Sequence, residues 1–163
     1  MKISDIMVQH VVKVKENASV QEVLERFAEH KINGLPVVNE RNEIVAFIST
    51  HDMIRYLDRR KPIIFPTFRS FHYSPIVWFD EIALEHKLRH LTDCNVMEVA
   101  IRDFPTISHN ALLKDVATVF KQKNISHLPV ERDGILVGIV NRSDMIKRGF
   151  HVYGDDSTIN RHY

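Results

Sequence analysis

Apolar positions along the chain change period several times, and the changes mark out elements. Val11-Val12-Lys13-Val14 predicts a short strand. After Asn17-Ala18-Ser19, the positions Val20, Val23, Leu24, Phe27 and Ala28 recur at helical spacing and give one apolar face. Asn33-Gly34 is expected to end that helix. Leu35 to Val38 predicts a strand, Asn39 to Asn42 a turn, Ile44 to Ile48 a second strand, and Ser49 to Leu57 a helix. The same succession returns later. Phe104 to Ile107 predicts a short strand, and Leu112, Leu113, Val116, Ala117 and Phe120 the face of a helix. Leu128-Pro129-Val130 then predicts a strand, Asp133-Gly134 a hairpin turn, Ile135 to Val140 a strand and Arg142 to Arg148 a closing helix. Strand, helix, strand, strand, helix is thus written twice. Between the two copies, Asp80 to Thr92 predicts a further helix with Ile82, Leu84, Leu88 and Leu91 apolar.

The copies match in letters as well as in period. Leu35-Pro36-Val37 answers to Leu128-Pro129-Val130, and Asp52-Met53-Ile54 to Asp144-Met145-Ile146. The second copy is one residue shorter in its central turn. Neither unit alone buries both faces of its sheet, so the two are expected to pack together, with a ligand cleft between them.

Composition narrows the classes. The chain has 163 residues, 44% of them hydrophobic, and a formal net charge of +1. That suits a globular protein with a proper core and gives no basic excess that calls for nucleic acid or an anionic membrane. The single cysteine, Cys94, excludes an intramolecular disulfide and fits a reducing compartment. No apolar run approaches the roughly 18–20 residues of a membrane span, and the N-terminus lacks the apolar core of a signal peptide. The expected location is cytoplasmic.

On the two Leu-Pro-Val strands and the segments Ser49-x-x-Asp52 and Asn141-x-x-Asp144, the chain resembles a tandem pair of cystathionine β-synthase (CBS) domains. The resemblance covers residues 1–58 and 95–150, leaving 59–94 as an insert and 151–163 as a tail. It implies an α/β fold of two CBS-type units in pseudo-twofold arrangement. It also implies a regulatory, non-enzymatic module that binds an adenosine-containing ligand: AMP, ADP, ATP or S-adenosylmethionine. A homodimer, and signalling in trans to a protein effector, are implied too. An aspartate at a helix start suits the ribose hydroxyls, and the free N–H groups there suit phosphate. Carried over, one site pairs Asn141, Arg142, Ser143 and Asp144 with Ile32, Asn33 and Gly34. The other pairs Ser49, Thr50, His51 and Asp52 with Ile125, Ser126 and His127. Ile32 and Ile125 would pack on adenine, while Arg142, His127 and His51 would lie toward phosphate or solvent. Met7 and Val12 would line the first pocket, Ala100 and Pro105 the second. The family's glycine before the second motif is Gly138 in the second copy but Ala46 in the first. Its Ser/Thr is Ser49 in the first copy but Asn141 in the second. The two sites are therefore expected to be unequal.

Plainer readings stand beside these. Ser49 and Asn141 followed by an aspartate three residues on are also helix N-caps, each worth ~1 kcal/mol without any ligand. The Leu-Pro-Val strands read as core. The insert, with its run from Pro62 to Phe79, is too aromatic for a flexible linker. It reads as a hydrophobic arm packed on the module or across a dimer interface. A docking surface for a partner, which would make the protein a ligand-free scaffold, is the alternative; a lid and a nucleic-acid surface are others, the last disfavoured by the net charge. His86 and His90 share a helix face with Glu85 nearby, a spacing that can hold zinc, but no third ligand is identifiable. No catalytic constellation is present.

Overall fold

The computed structural model describes residues 1–58 and 81–147; the aromatic run of the insert and the C-terminal tail lie outside the described residues. Each half contains one three-stranded sheet. In the first, β1 (Val14–Lys15) runs parallel to β2 (Gly34–Val38), and β3 (Ile44–Ser49) runs antiparallel to β2. In the second, β4 (Ile107–Ser108), β5 (His127–Arg132) and β6 (Ile135–Asn141) repeat that order. Helices α1 (Val20–His30) and α5 (Leu113–Lys123) make the parallel crossovers. Helix α2 (Thr50–Asp58) follows β3, and residues 142–147 form a helical segment after β6. Helices α3 (Glu81–Asp93) and α4 (Val96–Val99) precede the second half.

Local chemistry accounts for these bounds. Ser19 caps α1 by accepting the Glu22 N–H at 3.2 Å. The helix ends at Lys31, which takes the left-handed conformation at φ 53°; Asn124 does the same after α5 at φ 50°. Gly34, expected as the helix breaker, is instead a buried strand residue. Asp133 and Gly134 both have positive φ, as a tight two-residue hairpin turn requires. Pro36 lies in a central strand, but β1 pairs only with Val37 and Val38, so no neighbour needs the missing N–H.

The two short parallel strands begin three residues later than the sequence pattern suggests. Residues 9–13 and 102–106 carry the chain from one half to the other instead of pairing. Val8 exchanges both backbone hydrogen bonds with Ile139 on the free edge of β6, and Ile101 does so with Phe47 on the free edge of β3. Each half thus lends its leading segment to its partner's sheet. The cores record the exchange. Val96 and Val99 pack with Val20, Leu35 and Ile48, whereas Ile3 and Ile6 pack with Val116, Leu128 and Val140. Further bonds join Ala111 to Ile3, Ala18 to Val96, and the hairpin tips at Asn42 and Leu136. An approximate twofold axis relates all of these.

The helical faces are narrower than the apolar stripes. Val20, Val23 and Phe27 are buried on α1, and Val116 and Phe120 on α5, while Leu24, Ala28, Leu112 and Ala117 are exposed. One layer of sheet covers only one side of each helix.

Candidate functional site

Two equivalent junctions, where β3 runs into α2 and β6 into the segment 142–147, present backbone N–H groups and an aspartate. At the first, Ser49 Oγ accepts from the Asp52 N–H at 3.4 Å, and Asp52 Oδ2 accepts from Ser49 Oγ at 2.6 Å and Ser49 N at 2.9 Å. Arg55 donates to Oδ1 at 2.7 Å from the next turn. Asp52 is 6% exposed, the one buried charged residue among those described. At the second junction, Asn141 Oδ1 accepts from the Asp144 N–H at 2.7 Å and from Ser143 Oγ at 2.9 Å. Asn141 Nδ2 donates to Asp144 Oδ2 at 2.6 Å. Asp144 is half-buried, and no described residue bonds its Oδ1. Both junctions are therefore true helix caps, and the second leaves an oxygen available.

The structure corrects how the motifs combine. Thr50 N donates to the Asn33 carbonyl, and Arg142 N to the Ser126 carbonyl, at 3.0 and 2.9 Å. Gly34 pairs with Ser49 and His127 with Asn141 across their hairpins. Ile32-Asn33-Gly34 thus adjoins Ser49 to Asp52 of its own repeat, and Ile125-Ser126-His127 adjoins Asn141 to Asp144. Antiparallel hairpin pairing requires this adjacency, because the residue before one strand must face the residue after the other. Arg142 also donates from Nη2 to the Ile125 carbonyl. The two repeats meet at Gly34: a Cβ there would stand 2.9 Å from the Phe47 ring and 3.5 Å from His127 Nδ1. Phe47 stacks on Phe104 with centroids 4.2 Å apart and lies against His127 at 5.8 Å.

Burial pushes the His127 pKa below the ordinary histidine value, and the nearby Asp144 carboxylate partly opposes that shift. At the arms, Met7 lies over Gly138; a Cβ there would be 2.9 Å from Met7 Cγ and 3.2 Å from the Val8 carbonyl. Ala100 and Ala46 hold the equivalent positions in the other half, where Ala100 packs against the core cluster that includes Ala46. Ile32, Ile125, Val12 and Pro105 are half-buried, Val12 bordering an open cleft with His10, Lys13, Arg26 and His30. Asn33, Thr50, His51, Ser126, Arg142 and Ser143 are exposed.

On α3, Arg89 holds Glu85 at 2.7 Å, and His90 Nδ1 lies 3.6 Å from Cys94 Sγ; among the described residues no third donor joins His86 and His90. Reasoning from sequence missed Arg55, Phe47 and Phe104. Only Arg55 left a trace, three residues after an aspartate on one helix. The aromatic pair is made by the arm exchange, which spacing along the chain does not reveal.

Paired α/β units sharing their leading segments, with a capped aspartate at each strand-to-helix junction, define a tandem-repeat module with two equivalent junctions. The chain belongs to the CBS domain family, whose model matches residues 3–59 and 96–151. It is 28% identical over 146 residues to the uncharacterized protein MJ1225 of Methanocaldococcus jannaschii, covering 89% of this chain and 41% of that one. The chain therefore spans less than half the length of that relative. Among solved structures, CBSX2 in complex with AMP superposes with a TM-score of 0.68 at 21% identity, over 93% of this chain and 98% of that one. The CBS domain pair of MJ0100, in complex with 5′-methylthioadenosine and S-adenosyl-L-methionine, superposes with a TM-score of 0.67 at 23% identity, over 94% and 98%. No described helix is long and apolar enough to cross a membrane.

Proposed function

We propose that this protein is a regulatory sensor of an adenosine-containing ligand, which binds at a strand-to-helix junction and acts in trans on a protein effector. The observation that carries this reading is Asp144. It sits at a helix start, its backbone is capped by Asn141, and its free carboxylate oxygen is placed to accept ribose hydroxyls. His127 and Arg142 stand near it, and their N–H groups suit a phosphate. The ligands of the AMP-bound and S-adenosylmethionine-bound neighbours share an adenosine, which supports that ligand class. A ligand touching both the second-repeat junction and the Met7 arm would favour one setting of the two halves, and that difference is the signal.

The outer helices supply the other half of the reading. Ile54 and Ile146, equivalent across the twofold, are 66% and 62% exposed. Two apolar side chains on matching helices suit a homodimer in which one copy covers the other. Sedimentation should give a dimer, and Ile54→Glu with Ile146→Glu a monomer.

Calorimetric titration with AMP, ADP, ATP and S-adenosylmethionine tests the sensor reading. Binding of one of them in the micromolar range, lost in Asp144→Ala, supports it. A folded protein that binds none of the four overturns it and leaves a ligand-free scaffold.

A further inference from the structure

The two clefts differ in what already fills them. A carboxylate has about four lone-pair positions. At Asp52, three are taken: two by Ser49 and one by Arg55. At Asp144, one is taken, by Asn141. The position equivalent to Arg55 in the second repeat is Lys147, which is exposed and makes no ion pair with Asp144. A ribose diol needs two free acceptor positions, and Asp144 Oδ1 keeps both of its own whereas Asp52 Oδ1 gives one to Arg55. A further difference runs the same way: where the second junction has Arg142, the first has Thr50. His127 lies over Gly34, its counterpart in the first repeat, and so borders both junctions.

We propose that Arg55 is a built-in occupant of the first-repeat cleft, so that the protein takes one adenosyl ligand per chain, at Asp144, and the first cleft is held closed by the chain itself. This rests on the sensor reading above. The guanidinium supplies the first cleft with what a ligand would otherwise supply, donors to a buried carboxylate. The second cleft, lacking that donor, depends on a ligand for it. An asymmetric pair of this kind lets one site respond while the other fixes the geometry of the fold.

Binding stoichiometry in the full chain, read by calorimetry with AMP and with S-adenosylmethionine, is the test. The wild type should show about one ligand per chain for whichever of the two binds. Arg55→Ala should add a second event and bring the total to about two, because Asp52 Oδ1 would then be free, as Asp144 Oδ1 is. Arg55 is part-exposed, one turn along the same helix from its partner. Its removal should therefore spare the fold, and Arg55→Met, which keeps the aliphatic stem, guards against loss of packing. Two ligands per chain in the wild type would overturn the proposal. So would folded Arg55 variants that still bind one. Absence of any binding in the wild type would instead sink the sensor reading, and this proposal with it; a wrong stoichiometry sinks this proposal alone.

Discussion

At the scale of single residues, burial has turned ordinary side chains into constraints. His127 is the clearest. Its folded pKa lies below the ordinary histidine value because burial penalises the imidazolium. The unfolded chain therefore takes up the proton first as pH falls, and the contribution of His127 to stability is present at neutral pH and lost as pH drops through the ordinary histidine range. Urea unfolding at pH 7.5 and pH 5.5 should show the native state weakening at the acid end, and His127→Gln should flatten that dependence. An unchanged slope would mean that other groups control it. Gly138 gives a second case, since any Cβ there meets Met7 and the Val8 carbonyl. Gly138→Ala should cost about 1–3 kcal/mol by overpacking, and Met7→Ala in the same chain should restore part of it. Additive losses in the double variant would show that the two do not share a space.

At the scale of elements, the ends carry the information. Lys31 closes α1 in the left-handed conformation, which favours glycine over a side-chain-bearing residue. Lys31→Gly should stabilise the protein by about 1 kcal/mol, visible as a raised denaturation midpoint at unchanged slope. Asn33-Gly34 looked like the stop signal because glycine after a helical stripe usually is. The packing of Phe47 and His127 over Gly34 explains why glycine stands there instead. The hairpins were legible for the opposite reason. Asp133-Gly134 needs positive φ at both positions, and alternating apolar runs flank it, so the turn specifies itself locally. The short strands β1 and β4 were misplaced because Phe104 is apolar for the sake of its stacking on Phe47 of the other half, and Val12 for packing against the first core, rather than for strand pairing.

At the scale of the whole molecule, the exchange of leading segments makes two similar halves one cooperative body. Ile3, in the leading segment of the first repeat, is fully buried in the core of the second half, far from that half in sequence. Ile3→Ala should cost about 2–5 kcal/mol, as a core deletion does. Circular dichroism and scanning calorimetry should still report one shared unfolding transition. Two separated transitions would show that the halves fold independently.

The sequence by itself determined the duplication, the hairpins, the helix that follows each, and the capped aspartates Asp52 and Asp144. Each of these depends on neighbours within a few residues, where period and turn chemistry act directly. Only the tertiary structure decided which sheet each leading arm joins, how Phe47 meets Phe104 and His127, where Met7 and Ala100 stand, and that Arg55 rather than solvent faces Asp52. The hairpins tie Gly34 to Ser49 and His127 to Asn141 within each repeat, but two nearly identical repeats give nearly identical local signals, so sequence alone could not tell which sheet each leading arm joins. Strand register and the crossing of the arms settle that, because each backbone edge must find its partner somewhere in the folded chain.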